Sequence, residues 1–186
     1  MSEQLPPEIN ERRNHLMSSF IEAKSTNKKP KWNVDKLVVS GTTFSKPKDE
    51  TDFANSVPIT ISPESIKHTN IHTESGSSFQ AHITQIDDSS QAVPVLHQVF
   101  SNHAVAKATH NMYAYRIQGK GQVVENSCDD GEYGAGKRLL KLLRDQNIIN
   151  KIVIVTRWYG GKHMGPRRFD CITEVANKAL QALSSG

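Results

Sequence analysis

Apolar and polar positions follow two rhythms along this chain, and a long polar stretch lies between them. Residues 8–24 carry Ile9, Leu16, Met17, Phe20 and Ile21 at helical spacing after Pro6-Pro7, which predicts one amphipathic helix. Residues 22–36 read as a basic, polar linker, LVVSGTTF (37–44) as a lone strand and residues 45–56 as a loop. From about residue 57 the pattern is that of a folded domain. VPITIS and IKHTNIHT alternate weakly, and SSFQAHITQI (77–86) reads as a strand after Glu74-Ser75-Gly76. Helical spacing returns over 91–103, with Asp87-Asp88-Ser89-Ser90 as caps. Residues 108–117 and 122–127 form a hairpin around Gly119-Lys120-Gly121. On the first of these strands Met112, Ala114 and Arg116 take one face, Tyr113 and Tyr115 the other. A helix over 134–146 presents Leu139, Leu140, Leu142 and Leu143, and the run KIVIVT (151–156) opens a buried strand. A last helix runs from Pro166 to about Leu183, with Phe169, Ile172, Val175, Ala176, Ala179, Leu180 and Leu183 as its apolar stripe. Strands and helices alternating over one core predict an α+β or α/β two-layer sandwich over residues 66–186, preceded by a polar extension over 1–65.

Composition narrows the setting. The chain has 186 residues, of which 36% are hydrophobic, and its mean hydropathy is −0.54. The formal charge of +4 falls in residues 66–186, where fourteen Lys/Arg face ten Asp/Glu; residues 1–65 hold nine of each. Such a balance suits RNA, ribosome or acidic-protein partners. Cys128 and Cys171 form no metal spacing and no disulfide framework, and no HxxxH or HExxH pattern occurs, so neither a zinc site nor a cofactor is expected. The N-terminus MSEQLPPEINERR lacks an apolar core and carries Glu3, Glu8 and Glu11, against secretory or mitochondrial targeting. No run approaches the roughly 20 apolar residues of a membrane span. The expectation is a cytoplasmic protein.

The candidate chemistry lies in the C-terminal half. Behind KIVIVT stand Arg157, Trp158, Tyr159, Gly160 and Gly161, followed by KHMGPRRF; five Lys/Arg and no acid lie between Lys151 and Phe169. The glycines permit a sharp turn with positive φ, and the basic loop leads to a helix N-terminus, where anions are favoured. This is the form of a recognition loop, with Arg157, Lys162, Arg167 and Arg168 as cations and Trp158 and Tyr159 as flat apolar surface. Asp129-Asp130-Gly131-Glu132 stands before the helix at 134–146, where one acid suffices for capping and three also suit binding or metal chemistry. Arg157 bridging to Asp129 or Asp130 would make the two motifs one structural joint; otherwise they form one mixed-charge binding surface. GEYGAGKR (131–138) mimics a phosphate-cradling loop, but Arg138 occupies the position that needs Ser or Thr, and acids precede it. His110 opens a strand, either as a general base or as a hydrogen-bonded structural histidine. Cys171 falls within an apolar stripe and reads as core.

Taken together, SSFQAH (77–82), ATHNMYAYRI (108–117), DDGEYGAGKRLL (129–140) and TRWYGGKHMGPRRF (156–169) resemble the IMPACT family, over roughly residues 66–183. The resemblance implies the fold of the second domain of small-subunit ribosomal protein S-five: a four-stranded sheet with helices packed on one face. It also implies regulation of translation in the amino-acid starvation response, through binding the ribosome-associated activator of the general-control kinase, and it implies actin binding. It marks His110, Asp129, Asp130, Glu132, Arg157, Tyr159, Gly160 and Gly161 as the binding surface and carries no catalytic mechanism. Three departures stand out. Gly76 replaces a usually basic residue, Lys162 and His163 replace an apolar pair, and residues 1–65 are too short and polar for the RWD domain of eukaryotic relatives. The reading is a non-enzymatic cytoplasmic binding module with a protein partner in translation control. A direct RNA- or ribosome-binding protein is the alternative, and a hydrolase using Asp129, Asp130 and His110 stands third.

Overall fold

A computed structural model describes residues 59–184, the side chain of Ser184 excepted. The helix expected at 8–24, the linker at 22–36 and the strand at 37–44 lie outside the described residues. The elements are β1 (Lys67–His68), β2 (His72–Glu74), β3 (Ser77–Gln85), α1 (Ala92–Phe100), α2 (His103–Ala106), β4 (His110–Gln118), β5 (Val123–Cys128), α3 (Ala135–Asp145), β6 (Lys151–Trp158) and α4 (Arg167–Ser184). All strand pairs are antiparallel, in the order β1-β3-β6-β4-β5, with β2 also pairing β3.

The α+β class stands, with two differences from the expected layout. The sheet has six strands instead of four, because the weakly alternating segment before β3 forms two short edge strands, β1 and β2. Helices also cover both faces. On one, Phe79, Ala81, Ile83, Met112, Ala114, Val153 and Val155 pack with Leu139, Leu143, Ile172, Val175 and Leu180 of α3 and α4. On the other, Tyr113, Tyr115, Ile117, Ile152 and Ile154 pack with Val95, Leu96, Val99, Phe100 and Val105 of α1 and α2. The central strands are apolar on alternate positions of both faces, so neither face could be left to water. Burying each leucine or isoleucine contributes about 1.5–3 kcal/mol. The single helix expected over 91–103 is broken at Asn102, whose side chain accepts hydrogen bonds from the Ala104 and Val105 N–H groups and caps α2.

A buried polar chain crosses the second face. The Thr156 hydroxyl donates to Asn111 Oδ1 (2.8 Å), so it must accept from His82 Nε2 (3.0 Å). His82 Nδ1 then accepts from His68 Nδ1 at 2.7 Å, and Asn111 Nδ2 donates to the Val105 carbonyl at 3.1 Å. Every member has one workable proton position, and the run ties edge strand β1 to α2 through three inner strands.

His82 is 2% exposed, and burial, helped by His68, pushes its imidazole down to about 3 from 6.5. A histidine held neutral in the fold binds fewer protons than in the unfolded chain. Its stabilisation is therefore complete above about pH 6.5 and is lost progressively as pH falls toward 3. Wild type should lose about 1 kcal/mol more than His82→Gln between about pH 6.5 and about pH 5.5, read by urea unfolding.

Candidate functional site

Register places the site before any side chain is considered. Arg157, at the C-terminal end of β6, is paired with Phe79 of β3 on one side and His110 of β4 on the other. All three side chains project to the α3/α4 face. Arg157 is 4% exposed, with its guanidinium carbon 5.7 Å from the Phe79 ring centre and 5.5 Å from that of Tyr159. Its Nη1 donates to Glu132 Oε2, and Glu132 Oε1 accepts from Arg168 Nε at 2.7 Å. Glu132 is thus a buried carboxylate (5% exposed) clasped between two guanidinium groups. Burial alone would push its carboxyl up, but the hydrogen bonds from Arg168 and Arg157 outweigh that and hold it below the usual glutamate value.

The joint foreseen between the RWYGG and DDGE motifs exists, through a different acid. Asp129 accepts from the Gly134 N–H (3.0 Å) and the Gly136 N–H (2.7 Å), capping the start of α3. Asp130 accepts from the Asn111 N–H at 2.7 Å, and its carbonyl accepts from His110 Nδ1 at 2.8 Å. Neither aspartate is left to reach Arg157, whereas Glu132, one turn further on, is. His110 Nε2 lies 3.9 Å from Glu132 Oε2, so the histidine is the hydrogen-bonded structural kind at its other nitrogen and faces the cluster with this one.

The remaining loop residues divide. Trp158 points to the opposite face from Arg157, packs on the second core and donates to the Ala104 carbonyl at 2.9 Å. It is not part of one flat surface with Tyr159, which is 40% exposed with its ring 5.9 Å from that of His163. Gly161 takes the expected positive φ (83°). Gly160 serves a different need: a Cβ there would lie 1.8 Å from the Gly76 carbonyl oxygen. Lys162 is exposed. Arg167 is held by Glu74 (2.8 and 2.9 Å) and Glu174 (2.8 Å), away from the Glu132 cluster. Three contributors were not singled out from sequence. Phe79 lies under Arg157, Phe169 has the Arg138 and Arg168 guanidinium carbons 4.5 and 4.2 Å from its centre, and Tyr133 is 83% exposed beside Glu132. For Phe79 the cue was its place on β3 and for Phe169 its place in the apolar stripe of the last helix; for Tyr133 none was visible.

Two cavities, of about 290 and 320 Å³, are lined respectively by residues such as His68, Ile71 and Lys178 and by Ile59, Val93 and His97, and neither includes a member of the cluster. Among the described residues, no helix is long and apolar enough to cross a membrane. Fold and site together define an α+β sandwich domain in which a buried, ion-paired cluster joins the end of β6 to the start of α3.

The family model described as the Impact N-terminal domain matches residues 75–180. The chain belongs to the IMPACT family. It is 44% identical over 117 residues to Protein IMPACT-B of Xenopus tropicalis, covering 62% of this chain and 37% of that protein. To Protein IMPACT of Homo sapiens it is 43% identical over 110 residues, covering 58% and 34%. The match thus spans about a third of the length of these relatives. A solved structure described as that of a hypothetical protein superposes with a TM-score of 0.56 at 23% identity, covering 64% of this chain and 58% of its own, which bears on the fold alone.

Proposed function

We propose that residues 66–186 form a non-enzymatic, cytoplasmic binding module that acts in the control of translation by docking a protein partner on the exposed Tyr159 and Tyr133, which the buried Arg157–Glu132 pair holds in place. Membership of the IMPACT family supports the setting. The observation that carries the choice of a protein partner is the ion pairing of the loop. Arg157 and Arg168 are bound to Glu132, and Arg167 to Glu74 and Glu174, so three of the four cations expected on phosphate already neutralise carboxylates. A backbone-tracking RNA surface needs cations free for phosphate. A protein hot spot needs rigid aromatics with an ordered charged surround, which Tyr159, Tyr133 and the clasped Glu132 supply. The hydrolase alternative has less support, since Asp129 and Asp130 accept backbone N–H groups and neither cavity described above includes them or His110.

The test is affinity purification from cell extract with the full chain as bait, with and without nuclease. A nuclease-resistant component of the translation machinery should be retained by wild type and weakened at least about tenfold by Tyr159→Ala. Recovery abolished by nuclease would instead establish the RNA reading. Retention unchanged by both Tyr159→Ala and Tyr133→Ala would place the interface elsewhere.

A further inference from the structure

At the far edge of the same sheet face, three metal-binding side chains from two elements converge. His72 and Glu74, two residues apart on β2, point to the same side of the strand, and Cys171 meets them from the first turns of α4. Glu74 Oε2 lies 3.5 Å from His72 Nε2 and 3.5 Å from Cys171 Sγ, and all three donor atoms fall within 4.8 Å of one another. His72 Nε2 is buried yet outside hydrogen-bond geometry with any partner among the described residues. We propose that His72 Nε2, Glu74 Oε2 and Cys171 Sγ form a zinc(II) site that pins the edge of the sheet to α4.

Donors at zinc's usual bond lengths stand ~3.3–3.6 Å apart, so two of the three separations fit a tetrahedral ion, and the third lies within 4.8 Å. One thiolate, one imidazole and one carboxylate form a set that suits zinc, whereas magnesium and calcium require oxygen throughout. The His72 and Glu74 side chains are each 29% exposed, which gives water access to the fourth position. The charges also balance. Arg167 binds both oxygens of Glu74, Oε1 through Nε (2.8 Å) and Oε2 through Nη2 (2.9 Å), and sits beside Glu174 (2.8 Å) and Asp170 (3.7 Å), so three carboxylates surround one guanidinium. On binding, the Cys171 S–H proton leaves to solvent and the S–Zn bond replaces it, while Arg167 Nη2 gives up Glu74 Oε2 and Arg167 Nε stays on Oε1. No spacing motif flagged the site, because Glu74 and Cys171 are 97 residues apart in the chain.

This inference is independent of the partner reading above. Cobalt(II) is the probe, added to the full chain purified free of metal, because a bound thiolate gives a charge-transfer band together with the visible bands of a tetrahedral ion. Cys128 is the other cysteine of the chain, so the band can be assigned. Wild type and Cys128→Ser should both bind one equivalent and show the band, and zinc should displace it. Cys171→Ser should lose it. His72→Gln, a half-exposed position where folding is checked by circular dichroism, should weaken zinc by at least about tenfold. No band with stoichiometric cobalt in wild type, a band that survives Cys171→Ser, or wild-type affinity in folded His72→Gln would overturn the site.

Discussion

Gly160→Ala should lower the stability of the domain by about 3 kcal/mol or more, a large effect for a single methyl group. The added Cβ would lie 1.8 Å from the Gly76 carbonyl oxygen, 2.0 Å from its carbon and 2.7 Å from the Ser77 nitrogen. All three are backbone atoms, and the turn that carries them is fixed by β3 pairing with both β2 and β6. No side chain can swing aside, so one of the two loops must move. The movement would also break the hydrogen bond from the Gly160 N–H to Ser77 Oγ. Gly161→Ala is the control. Its φ is +83°, but a Cβ there meets nothing within 4 Å, so the cost is the left-handed conformation alone, about 1–2 kcal/mol. Urea unfolding of the two variants should therefore rank Gly160 well above Gly161. Equal losses would mean that the loops separate freely and that the close approach does not hold them.

The two glycines look alike in the sequence, and that likeness marks where sequence reasoning stops. Positive φ is a local property, and it was legible at Gly161. The need for glycine at Gly160 arises from a turn more than eighty residues away in the chain, Gly76-Ser77, whose N-terminal member reads in the sequence as a turn residue and as a departure from a basic pattern. The same division runs through the fold. Strand β6 and helix α4 were legible because a solid apolar run and a stripe of period 3.6 each have few alternatives. β1 and β2 were not, because strands of two and three residues are too short to show alternation. The covering of both sheet faces could have been inferred. Tyr113, Tyr115 and Ile117 on one side of β4, against Met112 and Ala114 on the other, leave no polar face for water. At the site, the sequence pointed to Asp129 or Asp130 as the acid for Arg157, yet the partner is Glu132. Backbone N–H groups decided it, by claiming Asp129 and Asp130 first.

Glu132 should in consequence be the most sensitive of the three acids. Glu132→Ala leaves Arg157 buried, with its Nε already unpartnered among the described residues and its principal anion removed, and an uncompensated buried charge of this kind costs about 3–5 kcal/mol. Glu132→Gln keeps the volume but turns one acceptor into a donor facing a guanidinium, so it should recover little of the loss. Removing both charges separates the ion pair from the shape. Arg157→Met combined with Glu132→Leu should be far less destabilised than the sum of the single variants, because neither charge is then stranded in the interior. Arg168, a half-exposed residue, can turn its guanidinium to water and needs no compensation. Acid should act in the same direction as the mutation. With its carboxyl held below the usual value of 4.5, Glu132 stabilises the fold fully above that pH and progressively less as pH falls beneath it. A double variant as unstable as the sum of its parts would show that Glu132 and Arg157 support the domain separately, and the two motifs would then be neighbours without being a joint.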